Sequence, residues 1–167
     1  MHPAVAITPA TTDDIGEVRR LADEIWHRHY PGIITVEQID YMLGVGYSHE
    51  ALAKFLADAN AGLALARRDA TPVGFVAWRP EAGGAMKLER LYVLPQHHGE
   101  GIGRALIEHV VMHARGAGCS SIRLNVNRGN AKAIAAYGRC GFAIRESGDF
   151  PIGNGFVMED FIMVRDL

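Results

Sequence analysis

The stretch Gln96–Arg104 reads QHHGEGIGR and places glycine at positions 99, 101 and 103. It follows the apolar run Met86–Leu94, which is typical of a strand, and precedes a segment with apolar residues at helical spacing. At such a strand-to-helix turn, backbone N–H groups can bind an anion, because the helix N-terminus is electropositive and glycine permits close approach. Arg104 can add a charge-assisted contact. The stretch therefore indicates a phosphate-binding loop; the alternative is a glycine-rich turn that only packs tightly.

The glycine spacing excludes two nucleotide-binding motifs. Counting Gly-x-Gly-x-x-Gly from Gly99 puts the third required glycine at Arg104, so the dinucleotide fingerprint fails. The Gly-Lys-Ser or Gly-Lys-Thr of a Walker loop is absent as well. The phosphate therefore belongs to another kind of ligand.

Apolar periodicity predicts an α/β fold in the order strand, helices, three strands, helix, strand, helix, two strands. Strands are predicted at 4–8, 63–66, 73–78, 86–94, 121–126, 142–144 and 156–164, with a loop containing Pro151, Gly153 and Gly155 before the last. Helices are predicted at 15–28, around 39–43, at 48–59, from 102 to about 114, and at 131–139. No repeat or linker interrupts the chain, so we expect one domain over residues 1–167 with a mixed sheet.

Composition limits the function classes. The 167 residues are 49% hydrophobic and 22% charged with a net charge of −2, which gives no basic field for nucleic acid. Two cysteines are too few for a disulfide framework, and no apolar run has membrane-spanning length or the form of a signal peptide. His109 and His113 are one helical turn apart without a third ligand nearby in sequence. We expect a cytoplasmic protein with no metal, no nucleic-acid partner and no membrane partner.

Two blocks of sequence resemble a known family. The first is Gln96–Gly101 after Leu91–Pro95, which is similar to the Gln/Arg-x-x-Gly-x-Gly/Ala signature of the GNAT superfamily of acetyl-CoA-dependent N-acyltransferases. The second is the asparagine at Asn130 with Ala133, followed by Tyr137 and then Gly-Phe at 141–142. The segments LERLYVLPQHHGEGIG and GNGFVMEDFIMVRDL look similar to bacterial polyamine-type members.

The resemblance implies a single GNAT-like domain with a mixed, mostly antiparallel sheet, splayed central strands and flanking helices. It implies acetyl-CoA as co-substrate, no metal, and a homodimer. The pantetheine arm would pair with the strand backbone, the pyrophosphate would lie on the glycine loop, and two further residues would contact the cofactor near its thioester. The implied cofactor-binding residues are Leu91, Tyr92, Val93, His98, Gly99, Glu100, Gly101, Ile102, Gly103, Arg104, Asn130 and Tyr137.

The implied chemistry needs a base for the amine and an acid for the leaving thiolate. Tyr137 matches the family's leaving-group acid; the alternative is an aromatic residue that packs on the sheet. Glu89 is the candidate base, because alternation along the strand puts it on the face of Leu91 and Val93. Its alternative role is a salt bridge to Arg90 or Lys87.

The acceptor is expected to be a primary amine of a small molecule, polyamine or amino-acid-like, held by Trp26, Tyr30 and Glu89. Core packing is the alternative for the two aromatics. Family members that acetylate peptide N-termini often carry Leu-Glu-Val, whereas this chain has Leu124-Asn125-Val126. That difference weakens the alternative of a peptide or protein acetyltransferase. A non-catalytic acyl-CoA-binding sensor is the other alternative.

Overall fold

The computed structural model describes residues 4–167. Within them, seven strands form one sheet and five α-helices flank it. The strands are β1 Val5–Pro9, β2 Gly62–Arg68, β3 Thr71–Pro80, β4 Ala85–Val93, β5 Ser121–Asn127, β6 Ala143–Gly153 and β7 Phe156–Asp166. The helices are α1 Ile15–His29, α2 Val36–Gly46, α3 His49–Ala57, α4 Ile102–Gly116 and α5 Ala131–Arg139.

The strand order is β1-β2-β3-β4-β5-β7-β6, and only the central β4–β5 pair is parallel. That pair extends only from Ala85–Ser121 to Lys87–Arg123, near the start of both strands. Beyond Lys87, β4 stays bonded to β3 and β5 stays bonded to β7, so the two central strands diverge. The predicted mixed, mostly antiparallel sheet with splayed central strands is confirmed, and the divergence opens a gap in its middle.

Helices cover both faces of the sheet. On one face of β3, Phe75 contacts Tyr47 and Tyr92; on the other, the ring of Trp78 stacks on His109 and His113 of α4. Apolar residues at helical spacing bury one face of α1 and one of α4, each large side chain contributing roughly 1.5–3 kcal/mol. They are Ile15, Val18, Leu21 and Ile25 of α1, and Leu106, Val110 and Ala114 of α4.

Side-chain caps begin three helices. The Thr35 hydroxyl accepts from the Gln38 N–H, the Ser48 hydroxyl from the Ala51 N–H, and the Asn130 carbonyl from the Ala133 N–H. Such caps satisfy N–H groups that the helix itself leaves open. The starts of α3 and α5 agree with the sequence prediction to within one residue.

The last two strands differ from the prediction. The segment predicted as a loop with Pro151 and Gly153 is the end of β6, which pairs with β7 from Ala143–Val164 to Gly153–Phe156. The turn is only Asn154-Gly155, with φ of 52° and 77°. Asn-Gly is a strong signal for a two-residue hairpin, because both positions need positive φ. The predicted loop was therefore wrong because the turn was placed too early.

Candidate active site

A cavity of about 820 Å³ lies where β4 and β5 diverge. It is lined by β4, β5, the Pro95–Arg104 loop and α5, with α1 and β7 contributing side chains. The Leu94 N–H donates to the Val73 carbonyl of β3 at 2.9 Å. Because backbone groups alternate in direction along a strand, the N–H and C=O of Val93 point away from β3, into the gap. The Val93 carbonyl accepts from His98, so the end of β4 offers the Val93 N–H to an extended ligand.

The glycine loop forms an open cradle at one end of this cavity. Gly99 and Gly101 have φ of 81° and 82°, which favours glycine. Gly101 is the N-cap of α4 and no side chain caps the helix, so its first N–H groups face the cavity side unblocked. A Cβ built at Gly99, Gly101 or Gly103 meets nothing within 4 Å. This geometry fits a phosphate group at the helix N-terminus.

The Glu100 side chain, which the resemblance placed among the cofactor-binding residues, bonds to Arg68 and His97. Its carboxylate bonds to Arg68 of β2 at 2.7 Å and to His97 at 3.1 Å, and it does not line the cavity. The side chain therefore ties the loop to the sheet. Arg104 lines the cavity and donates to the Arg139 carbonyl of α5 at 3.1 Å, which connects the loop to α5.

His98 links the loop to both walls of the gap. Its Nε2 lies 2.9 Å from the Val93 carbonyl, and its Nδ1 lies 3.1 Å from the ammonium of Lys132 on α5. An ammonium only donates and a carbonyl only accepts, so Nε2 carries the proton and Nδ1 accepts. The neutral tautomer satisfies both contacts, and Lys132 adds a positive charge near the glycine cradle.

Tyr137 of α5 and Asn130, the N-cap of α5, also line the cavity. The Tyr137 ring packs against Phe142 at 5.8 Å, and within residues 4–167 its hydroxyl has no hydrogen-bond partner. Burial raises the pKa of this phenol, so it stays protonated at neutral pH. The Asn130 carbonyl oxygen accepts from His29 Nε2 at 3.1 Å in addition to capping α5. Asn130 therefore joins α1 to α5 across the cavity.

Glu89 lies at an irregularity of β4. The register pairs Leu88 with Trp78 and Arg90 with Ala77, which leaves Glu89 as the extra residue of a bulge. The bulge interrupts simple alternation at Glu89, but Glu89, Leu91 and Val93 all line the cavity, as expected from the sequence. Its carboxylate lines the cavity but bonds to Arg79 at 2.7 Å, with the Lys87 ammonium at 4.0 Å. Of the two partners expected for a salt bridge, Lys87 makes one at 4.0 Å, while Arg79 and not Arg90 makes the shorter contact.

Trp26 and Tyr30 form the cavity wall as part of the core. Their rings lie 4.5 Å apart, and Trp26 also packs on Tyr92 at 5.6 Å. The hydroxyls of Tyr30 and Tyr92 are 3.1 Å apart, and burial raises the pKa of both phenols. Both residues are buried, as the core-packing alternative requires, and both line the cavity; their contact with the acceptor stays a prediction.

The structure adds a pair that sequence reasoning missed. Asp160 of β7 is buried, lines the cavity, and accepts from the Asn125 amide of β5 at 3.3 Å. Burial raises the pKa of the Asp160 carboxyl. No local motif marks Asp160; it reaches Asn125 only because Asp160 pairs with Asn127 across the β5–β7 ladder. The contact could not be predicted without knowing that β5 pairs with β7.

The described residues, 4–167, hold no group of three histidine, cysteine or carboxylate side chains placed to bind a metal. In the same range, no helix combines the length and apolar character needed to cross a membrane. His109 and His113 pack against Trp78, with ring centroids at 5.4 and 4.7 Å.

A sheet split at its parallel central pair, with a glycine cradle at a helix N-terminus, defines a class of acyltransferase folds. The sequence profile of the acetyltransferase (GNAT) family matches residues 20–142, and the chain belongs to this family of N-acetyltransferases. An uncharacterised N-acetyltransferase of Mycobacterium tuberculosis is 29% identical over 92% of this chain and 98% of its own.

Two further relatives come from Thermoplasma acidophilum. A spermidine N(1)-acetyltransferase is 27% identical over 93% of this chain and 96% of its own length. The crystal structure of PaiA N-acetyltransferase in complex with coenzyme A superposes with a TM-score of 0.86 at 25% identity, covering 98% of this chain and 99% of that one. The predicted fold and acetyltransferase family are confirmed.

Proposed function

We propose that the protein is an acetyl-CoA-dependent N-acetyltransferase that acetylates a primary amine of a small molecule, polyamine or amino-acid-like, within a ternary complex. The observation that carries this proposal is the continuous cavity joining the glycine cradle, the free backbone edge of β4 and the Tyr137 phenol. The coenzyme A complex of the PaiA relative supports the donor, and the spermidine N(1)-acetyltransferase relative supports the acceptor class.

In this proposal the donor lies along β4. Its pyrophosphate accepts hydrogen bonds from the backbone N–H groups of the 98–104 loop. Arg104 and Lys132 supply positive charge beside it. Its pantetheine arm pairs with the backbone at Leu91–Val93, in the gap that β5 leaves open. The Val93 N–H then points towards the position where the tetrahedral oxyanion develops.

The chain supplies two groups for proton movement. The neutral Tyr137 phenol donates to the sulfur as the carbon–sulfur bond breaks, which stabilises the departing thiolate. A carboxylate must accept a proton from the acceptor, because an alkylammonium has a pKa of about 10 and cannot attack as a cation. Two carboxylates that line the cavity can serve, Glu89 and Asp160.

Peptide or protein acetylation is the second candidate. Asn125 stands where peptide-acetylating members often carry glutamate, which favours the small amine. A pure acyl-CoA sensor is disfavoured by the phenol of Tyr137, which a binding-only protein does not need. A homodimer and a cytoplasmic location stay predictions.

Release of free thiol from acetyl-CoA tests the proposal. The acceptors are spermidine, n-butylamine and a short peptide with a free N-terminal alanine. We expect amine-dependent thiol release, faster with spermidine than with the peptide. A preference for the peptide would support the second candidate. Tight coenzyme A binding without thiol release from any acceptor would support the sensor.

A further inference from the structure

The floor of the cavity holds two buried oxygen atoms that have no hydrogen-bond donor. Asn125 uses its amide nitrogen to donate to Asp160 Oδ2, which leaves Asn125 Oδ1 and Asp160 Oδ1 buried without partners. Asp160 is 5% exposed, and both residues line the cavity. Each unpaired buried acceptor lowers the free energy of unfolding by roughly 1–3 kcal/mol. The pair therefore does not stabilise the fold, which indicates a role in binding a ligand.

The nearby cations do not satisfy this carboxylate. The Arg128 guanidinium bonds to Asp149 at 2.9 Å and reaches only the backbone oxygen of Asp160, at 3.5 Å. The Lys87 ammonium lies 4.0 Å from Glu89. Both cations favour the ionised form of Asp160 from a distance, and the Tyr30 phenol also lies nearby. No donor within residues 4–167 contacts Asp160 Oδ1.

Two unpaired acceptors on hydrogen-bonded side chains, one of them a carboxylate oxygen, are complementary to a group that only donates and carries positive charge. A primary ammonium has three donors and no acceptor. A hydroxyl or a neutral amide matches less well, because it leaves the carboxylate charge uncompensated. The chemistry of the pair therefore selects a primary ammonium.

We propose that Asp160 and Asn125 form the acceptor-amine site, in which both side chains bind the substrate ammonium and Asp160 accepts its proton. This inference rests on the proposed function and assigns its base. Glu89 is the weaker candidate because its carboxylate is already held by Arg79 at 2.7 Å, whereas Asp160 Oδ1 has no partner.

The proton balance is complete with groups on the chain and in solvent. Asp160 takes one proton from the ammonium, and the neutral amine nitrogen forms a bond to the thioester carbon. Collapse of the tetrahedral species breaks the carbon–sulfur bond, and Tyr137 protonates the thiolate. The nitrogen loses its second proton, which restores the phenol through water, and Asp160 releases its proton to solvent.

The test compares Asp160→Asn with two matched variants. Glu89→Gln removes the competing carboxylate. Glu159→Gln removes the neighbouring carboxylate of β7, which is exposed and outside the cavity. Each variant is assayed for thiol release with spermidine, for coenzyme A binding by calorimetry, and for spermidine binding to the coenzyme A complex.

We expect Asp160→Asn to lower kcat/KM for spermidine at least 100-fold and to weaken spermidine binding at least tenfold, with coenzyme A affinity within about twofold of the parent. Glu159→Gln stays at parental activity. We expect Glu89→Gln to keep most activity and the acidic limb of the pH–rate profile, and Asp160→Asn to lose that limb. The reverse result, with the limb lost in Glu89→Gln, would overturn the assignment.

The outcomes separate this inference from the proposed function. A parent that releases thiol while Asp160→Asn retains more than half of its kcat/KM leaves the function standing and refutes the site. A parent that binds spermidine through Asp160 but releases no thiol supports the ammonium site and refutes the enzyme. Equal spermidine binding by the parent and Asp160→Asn refutes the site in either case.

Discussion

The two halves of the cavity are built in different ways. The donor half comes from contiguous sequence: the end of β4, the 96–104 loop and the start of α4 follow one another directly. The acceptor half comes from residues far apart in the chain, Asn125 on β5 and Asp160 on β7, which meet only through sheet pairing. The proposed donor site therefore depends on a local sequence motif, and the proposed acceptor site depends on the register of the sheet.

The halves also differ in how well their polar groups are satisfied. On the donor side, the side chains of Glu100, His98 and Arg104 bond to β2, β4 and α5, which fixes the loop in position. On the acceptor side, buried oxygens stay unpaired. The difference indicates a preformed donor site and an acceptor site that is completed by its ligand.

Tyr137 is the proposed leaving-group acid, between the two halves of the cavity. We expect Tyr137→Phe to lower kcat by roughly 10²–10⁴-fold, because the variant cannot protonate the thiolate, and to leave coenzyme A affinity unchanged. Steady-state thiol release and calorimetry measure the two quantities. Tyr41→Phe is the control, since Tyr41 does not line the cavity and its hydroxyl donates to the Ile152 carbonyl. Parental kcat in Tyr137→Phe would remove the phenol from the mechanism.

Gly101 tests the donor half by itself. We expect Gly101→Ala to weaken coenzyme A binding about tenfold, because alanine is strained at a φ of 82° and its methyl group enters the open cradle. Calorimetric titration with coenzyme A measures the loss. Gly116→Ala, at the other end of α4, has open space and no positive φ and should bind normally. Equal affinities of the two variants would show that the cradle does not hold the ligand.

The stability of Asp160→Asn tests the acceptor half without any substrate. Burial raises the folded-state pKa of Asp160 above 3.8, so ionisation opposes folding. The cost is absent below the unfolded-state pKa and fully present above the folded-state pKa. We expect Asp160→Asn to be more stable than the parent at pH 7, on the order of 1 kcal/mol, with the gap closing towards pH 3.

Chemical denaturation of both proteins at several pH values measures this gap. Glu159→Gln is the control and should show no such gain. A parent more stable than Asp160→Asn at pH 7 would mean that the carboxylate is a structural partner of Asn125 and not an unsatisfied ligand group.

The β2–β3 turn lies outside both halves and should affect stability alone. Asp69 and Ala70 have φ of 49° and 67°, a geometry that suits glycine better than alanine. We expect Ala70→Gly to raise the free energy of unfolding by about 0.5–1 kcal/mol with unchanged kinetics. Urea denaturation measures the free energy of unfolding, and thiol release measures the kinetics. A destabilised variant would contradict the turn geometry.

Local patterns predicted the elements and the glycine loop at the start of α4, because helical periodicity and glycine spacing are short-range signals. Local patterns could not predict features that depend on how strands distant in sequence pair with each other. The bulge at Glu89 depends on how β4 pairs with β3, and the approach of Asp160 to Asn125 depends on how β7 pairs with β5. The Asn154-Gly155 turn was a readable local signal that the prediction overlooked.

A crystal structure of the protein with coenzyme A and spermidine would show directly where the acceptor nitrogen binds. We expect the pyrophosphate on the backbone N–H groups of the 98–104 loop and a spermidine nitrogen about 3 Å from both Asp160 Oδ1 and Asn125 Oδ1. A spermidine nitrogen bound at Glu89, with the Asn125 and Asp160 oxygens still unpaired, would contradict it.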